Sequence, residues 1–232
     1  MWFSPQVIQS FPALFDGWMM TVSLTVLGAI GSLAWGHLAL ALQLAPLAPL
    51  RWLVRLYISF MRGTPALVQL FLVFFSLPLI GLGGHPLLAA ALTLGLNSGA
   101  YTAEILRGNL RIVPRGQIEA ATALGMAPWR IATRIVMPQV LRASIPALVN
   151  EFTILLKTTP LASVVAVTEL TYAGQMVIAR TYTSSQIMLI VSIGYLAVVL
   201  PVLALGKHLS RVPRSGQTRL TSPATPATPG RS

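Results

Sequence analysis

GWMMTVSLTVLGAIGSLAWGHLALALQL, residues Gly17–Leu44, carries no acidic or basic side chain apart from His37. A helix crossing the hydrocarbon core needs about 20 mostly apolar residues, and this stretch exceeds that length. Ile187–Gly206 is equally uncharged. Between them lie two shorter apolar runs, Pro65–Ile80 and Pro86–Ala103. A third, Val140–Leu156, is apolar except for Arg142 and Asn150-Glu151. Five spanning helices are therefore expected, joined by loops at 46–64, 81–85, 104–139 and 157–186. Composition agrees, since 55% of residues are hydrophobic, 9% are charged and mean hydropathy is +0.74. The expectation is an all-α integral membrane protein.

A net charge of +11 on 232 residues raises the question of nucleic acid. The charges sit at the ends of apolar runs, where a membrane protein places them, so no nucleic-acid partner is expected. With the N-terminus outside, fourteen Arg and Lys fall on inner segments, against Lys157 and Arg180 outside. The positive-inside rule thus puts the long 104–139 loop and the C-terminus in the cytoplasm. The absence of cysteine excludes disulfides, thiol catalysis and Cys-metal sites. Met1 to Pro5 lacks a basic n-region, so no cleaved leader is expected. The chain divides into an external segment 1–16, a transmembrane unit 17–210, and a Pro/Thr/Ser/Arg-rich tail 211–232 expected to be disordered.

Local signals add detail. Gly28, Ser32 and Gly36 recur every four residues in the first span. They are either a surface for close helix approach or ordinary small residues of a membrane helix. Arg51 and Arg55 share one face of a segment whose other faces hold Trp52, Leu53, Leu56, Tyr57 and Phe60, as in an amphipathic helix lying at the inner surface. Gly63-Thr64-Pro65 breaks it, with Thr64 expected as N-cap and Pro65 as first helical residue of the next helix. No Gly-x-x-x-x-Gly-Lys-Ser/Thr loop occurs, so ATP binding by that route is excluded. His37, His85 and His208 lack metal-ligand spacing, and no metal or cofactor is expected on this chain.

Glu119-Ala120-Ala121, three residues, Gly125, nine residues, then Ile135-Val136-Met137-Pro138 stand in an Arg-rich loop between apolar runs. This spacing resembles the coupling loop (here 108–138) of ABC importer permeases, with Met137 where the family usually has Leu. Four further blocks resemble the polar amino acid (histidine/glutamine/arginine-type) permeases. They are Phe60 to Gln69 (FMRGTPALVQ), Asn97 to Gly108 (NSGAYTAEILRG), Val113 to Gln117 (VPRGQ), and Asn150-Glu151-Phe152 with Leu155-Leu156-Lys157 and Leu161 to Val164. The resemblance covers about Gly17 to Gly206. It implies a type I ABC importer-like permease in a bacterial inner membrane, with a short cytoplasmic coupling helix over Gln117 to Leu124. It also implies partners: an ATPase subunit dimer carrying ATP and Mg, a second permease subunit (identical or homologous), a solute-binding protein, an amino acid substrate and membrane lipid. The sequence departs from the family at Pro160, which should bias Thr159 toward extended backbone, and at Thr168, where Pro is usual before Glu169-Leu170.

Within the loop, Ala120 and Ala121 are expected to present a small packing surface, and Gly125 a left-handed turn closing the helix. Glu119, Arg115, Arg130 and Pro138 complete the expected ATPase-coupling set. For the substrate pathway, Glu151 is the sharpest candidate, because a carboxylate inside an apolar span is costly and usually faces a cavity or a partner. It either faces an inward cavity or pairs with Lys157 of the same or a neighbouring subunit. Asn97 either meets substrate or makes an interhelical hydrogen bond, and Thr158, Gln69 and Thr64 are further pathway candidates. Glu104 and Arg107, three apart, are expected to pair along one helix face.

An ion-coupled secondary transporter is disfavoured by the lack of an internal repeat and the scarcity of intramembrane acids. A membrane enzyme lacks any nucleophile, base and orienter set. The activity that the resemblance implies is ATP-driven import of polar amino acids, with an opine or sulfur amino acid as the alternative cargo.

Overall fold

The computed structural model describes residues 5–210. The expected tail, 211–232, and the first four residues lie outside the described part. In chain order the helices are α1 (Pro5–Gln9), α2 (Phe11–Gln43), α3 (Ala48–Gly63), α4 (Ala66–Ser76), α5 (Pro86–Asn109), α6 (Arg115–Ala123), α7 (Pro128–Ile131), α8 (Met137–Thr158), α9 (Leu170–Thr181) and α10 (Ser184–Ser210). Short 3₁₀ turns follow α4, α5 and α8. No strand occurs among the described residues.

Two helices, Phe11–Gln43 and Ser184–Leu209, are long and apolar enough to cross a bilayer unaided. Two bent pairs are long and apolar enough only together: Ala48–Gly63 with Ala66–Ile80, bent by 117°, and Pro128–Val165 with Leu170–Thr181, bent by 51°. The first span thus begins six residues earlier than expected, inside the predicted external segment. The largest difference lies in 157–186, expected as a loop. It contains α9, whose start is fixed by Glu169: the buried carboxylate accepts from the backbone N–H of Thr171 (2.9 Å) and Tyr172 (2.8 Å). Glu169 also accepts from the Tyr195 hydroxyl of α10 (2.5 Å), so the cap ties two helices together.

α2 is apolar around its whole circumference, with one side packed in the bundle and the other, with Phe15, Val26, Leu27 and Ile30, exposed. Its small residues face α5: Gly31 meets Gly95, and Ser32 hydrogen-bonds Ser98 (3.0 Å) and Thr102 (2.8 Å). At Gly36 a Cβ would stand 2.4 Å from Thr102 Cγ2. Of the two readings of Gly28, Ser32 and Gly36, close helix approach is the one found. α10 closes against α8 in the same way, a Cβ at Gly206 falling 2.4 Å from Val149 Cγ1.

Helix α3 forms as its pattern predicts. Val54 and Ile58 are buried, whereas Trp52, Leu53, Leu56 and Phe60 are exposed. Arg51 donates to the Ala45 and Pro46 carbonyls (3.0 Å each), covering groups left open where α2 ends. Two local expectations fail. Thr64 does not cap α4; its hydroxyl is drawn back to the Phe60 carbonyl (2.8 Å), and the N-cap is Pro65. Thr159 is helical (φ −56°, ψ −30°) rather than extended, because Pro160 opens a 3₁₀ turn, where its missing N–H costs nothing.

Candidate functional site

The Glu-Ala-Ala segment is helical from Arg115, two residues before the expected start, to Ala123. Its end is a Schellman turn: Met126 N–H donates to Ala121 O (3.0 Å) and Gly125 N–H to Thr122 O (2.9 Å). That geometry requires a left-handed residue at the turn, and Gly125 supplies φ +74°. The side chain of Gln139, at the start of α8, donates to Gln117 Oε1 (2.8 Å), pinning α6 to the long helix behind it.

One expected feature is corrected. Ala120 is exposed, but Ala121 is only 4% exposed and packs inward. Successive helical residues point about 100° apart, and here that step carries Ala121 onto the inner side of α6. The outward surface is instead supplied by residues the sequence reading did not single out: Leu124 (82% exposed), Trp129 (62%) and Ile118. Glu119, Arg115 and Arg130 are exposed on the same segment, with the Arg130 guanidinium 5.3 Å from the Trp129 ring. Exposed apolar and aromatic side chains with charged neighbours in sequence are the usual composition of a protein-docking patch.

Pro138 occupies the first turn of α8 and is exposed. Immediately before it, Ala132–Val136 form a π turn, and Met137 N–H bonds Ala132 O, five residues back. Proline cannot donate to the carbonyl four residues behind it, and the widened turn accommodates that missing bond.

Three of the five pathway candidates converge. Gln69 Nε2 donates to Thr64 Oγ1 (2.8 Å), Thr64 O (3.1 Å) and Met61 O (2.9 Å). Asn97 Nδ2 donates to Gln69 Oε1 (2.9 Å). The amides thus brace the break between α3 and α4 against α5, and Asn97 also lines a small apolar cavity with Ala66, Leu70 and Leu161. Glu151 lies apart from them. It is 6% exposed, and Ser98 Oγ donates to its Oε1 (2.8 Å), so a run of hydroxyls, Thr102, Ser32 and Ser98, leads from α2 and α5 to the carboxylate. Among the described residues Glu151 makes no ion pair with Lys157 of its own chain, which is exposed. Thr158 is spent on the Ile154 carbonyl (2.8 Å) at the end of α8.

Glu104 and Arg107 pair as expected (2.8 and 2.6 Å), joined by Gln43 at 3.3 Å and by Arg62 at 3.7 Å.

The chain is 39% identical over 175 residues to the L-cystine transport system permease protein of Bacillus subtilis (strain 168), covering 75% of each. It is 35% identical over 204 residues to the glutamine transport system permease protein of Escherichia coli (strain K12), covering 87% of this chain and 93% of that one. Its fold matches a crystal structure of an amino acid ABC transporter with histidines, with a TM-score of 0.80 at 30% identity over 88% of this chain and 96% of the other. Residues 37–214 match the family described as the binding-protein-dependent transport system inner membrane component, and the chain belongs to that family as a membrane transport subunit.

Proposed function

We propose that this chain forms the membrane pathway of an ATP-driven importer of polar amino acids, moved by a separate ATPase that grips α6. The observation that carries this is the exposed α6 with its Schellman turn, with Leu124 and Trp129 standing out from a segment that also exposes Arg115, Glu119 and Arg130. A surface of this kind has no use in a bilayer. The skewed distribution of Arg and Lys supports a cytoplasmic position for it, with the N-terminus outside. The five spans expected from the sequence fall on α2, α4, α5, α8 and α10, of which α2 and α10 are long and apolar enough to cross unaided.

One such subunit is too small to enclose a path, so it pairs with an identical or homologous permease. A solute-binding protein delivers the amino acid to the outer face. Closure of an ATPase pair, which holds ATP and Mg, draws the two α6 helices together, and the cavity changes sides. Glu151 and the Asn97–Gln69–Thr64 network are the polar groups within the bundle that a zwitterion can meet. Thr158, at the outer end of α8, lies toward the entrance. The amino acid class follows from the names of the relatives; the cystine relative also supports a sulfur amino acid as cargo.

The test is ATPase stimulation of the reconstituted complex, with its binding protein, across a panel of amino acids. Stimulation by polar amino acids is expected. Stimulation only by solutes of another class refutes the substrate assignment.

A further inference from the structure

At the ends of α2, α3 and α5 lies a concavity of about 630 Å³ that the transport reading does not use. Its wall contains Arg55, Arg62, Arg107 and Arg111 against a single acid, Glu104. Glu104 is already engaged by Arg107 and, more loosely, by Arg62 and Gln43. Arg55 and Arg111 are exposed and, among the described residues, neither has a hydrogen bond or ion pair. Two unpaired guanidiniums facing one hollow repel each other unless an anion enters.

Beside the hollow runs an apolar strip. Helix α3 divides into three stripes: Val54 turns into the bundle with Ile58, which also lines the hollow, Arg55, Ser59 and Arg62 turn to the hollow, and Trp52 (64% exposed), Leu53, Leu56 and Phe60 turn outward. A soluble anion needs only the basic stripe. An amphiphile with an anionic phosphate head and acyl tails uses both, the head between the guanidiniums and a tail along the outer stripe.

We propose that this hollow is a binding site for the phosphate headgroup of an anionic phospholipid. Arg55 and Arg111 hold the phosphodiester, and the outer stripe of α3 carries an acyl chain. Guanidinium suits the task, since its planar fork takes two phosphate oxygens at once. The site anchors α3, the helix leading into the Gly63–Pro65 break, to the inner leaflet.

The test titrates phosphatidylglycerol or phosphatidylcholine into the delipidated full chain in detergent and counts bound lipid by native mass spectrometry. The parent is expected to prefer phosphatidylglycerol. Each basic residue near a lipid surface contributes about five-fold, so the R55Q/R111Q variant should lose roughly thirty-fold in phosphatidylglycerol affinity with phosphatidylcholine unaffected. The R142Q/K207Q variant removes the same charge outside the hollow and should keep the preference. R55K/R111K preserves the charge but not the fork and should keep part of the preference, more than R55Q/R111Q, which separates the headgroup contact from a folding defect. The proposal fails if the parent shows no preference or if both glutamine variants lose it alike. It also fails if inorganic phosphate displaces the lipid mole for mole, marking a soluble-anion site. A fourth contrary result is that R55Q/R111Q shifts the monomer–dimer balance but not lipid binding, which assigns the hollow to a second copy.

Discussion

Replacing Gly36 by alanine tests the contact on which the bundle is built. The new Cβ would stand 2.4 Å from Thr102 Cγ2, 2.7 Å from Thr102 Cβ and 3.2 Å from the Gly99 carbonyl oxygen. Carbon atoms rest at about 3.5–4.0 Å, so the helices must separate by roughly 1 Å or distort. Thr102 is fully buried and fixed by Ser32, and Gly99 offers only backbone, so neither yields cheaply. Overpacking of this kind costs about 1–3 kcal/mol. Alanine returns up to about 1 kcal/mol through helix propensity. At Gly108, also in a helix, a Cβ meets nothing within 4 Å. Gly108→Ala therefore collects a propensity gain unopposed, and the difference between the two variants isolates the clash at about 1–3 kcal/mol. Thr102→Ser removes the nearest methyl while keeping the hydroxyl that bonds Ser32, so the double variant should recover part of the loss. Unfolding by sodium dodecyl sulfate in mixed micelles, followed by circular dichroism, measures all four chains. If Gly36→Ala is as stable as Gly108→Ala, α2 and α5 do not meet at this point.

Three further outcomes are expected. Gly125→Val has open space for its side chain but must hold φ +74°, at a cost of about 1–3 kcal/mol, so uptake should fall while ATP hydrolysis persists, and Gly125→Asn should retain transport; equal loss in both variants contradicts the turn. Ser98→Ala strips Glu151 of its hydroxyl donor and should destabilise by about 1–3 kcal/mol in the same unfolding assay, with the Ser98→Ala/Glu151→Leu pair less affected than Ser98→Ala alone. Glu151→Gln can still accept from Ser98, so a raised KM for uptake at unchanged stability marks a substrate contact, whereas unchanged KM assigns the carboxylate to structure.

Much of this architecture is visible in the chain itself, for identifiable reasons. α2 and α10 announce themselves because a bilayer demands long uncharged runs, and Gly125 does so because few residues but glycine tolerate its backbone. α9 does not. It is 12 residues long and carries Gln175 and Arg180, so its apolar signal is diluted, and its capping residue is an unusual Glu169. Ala121 was misplaced because a short, weakly amphipathic helix does not reveal which side faces its scaffold. The meeting of Asn97 with Gln69 and Thr64 depends on how α5 crosses the α3–α4 break, and no local spacing encodes a crossing. Ser98 is silent for the same reason: a serine in a membrane helix carries no signal until a carboxylate from another helix lands on it.

The widened turn at Ala132–Val136 has a mechanical corollary. It holds one residue more than a regular turn, like a spare tooth in a gear. Were that residue absorbed into ordinary α-helix, everything on the α7 side would swivel by about 100° and shift by about 1.5 Å relative to α8. Under the proposed coupling, a motor pressing on Trp129 would act on a joint able to convert a push into rotation, while the rod behind it stays intact.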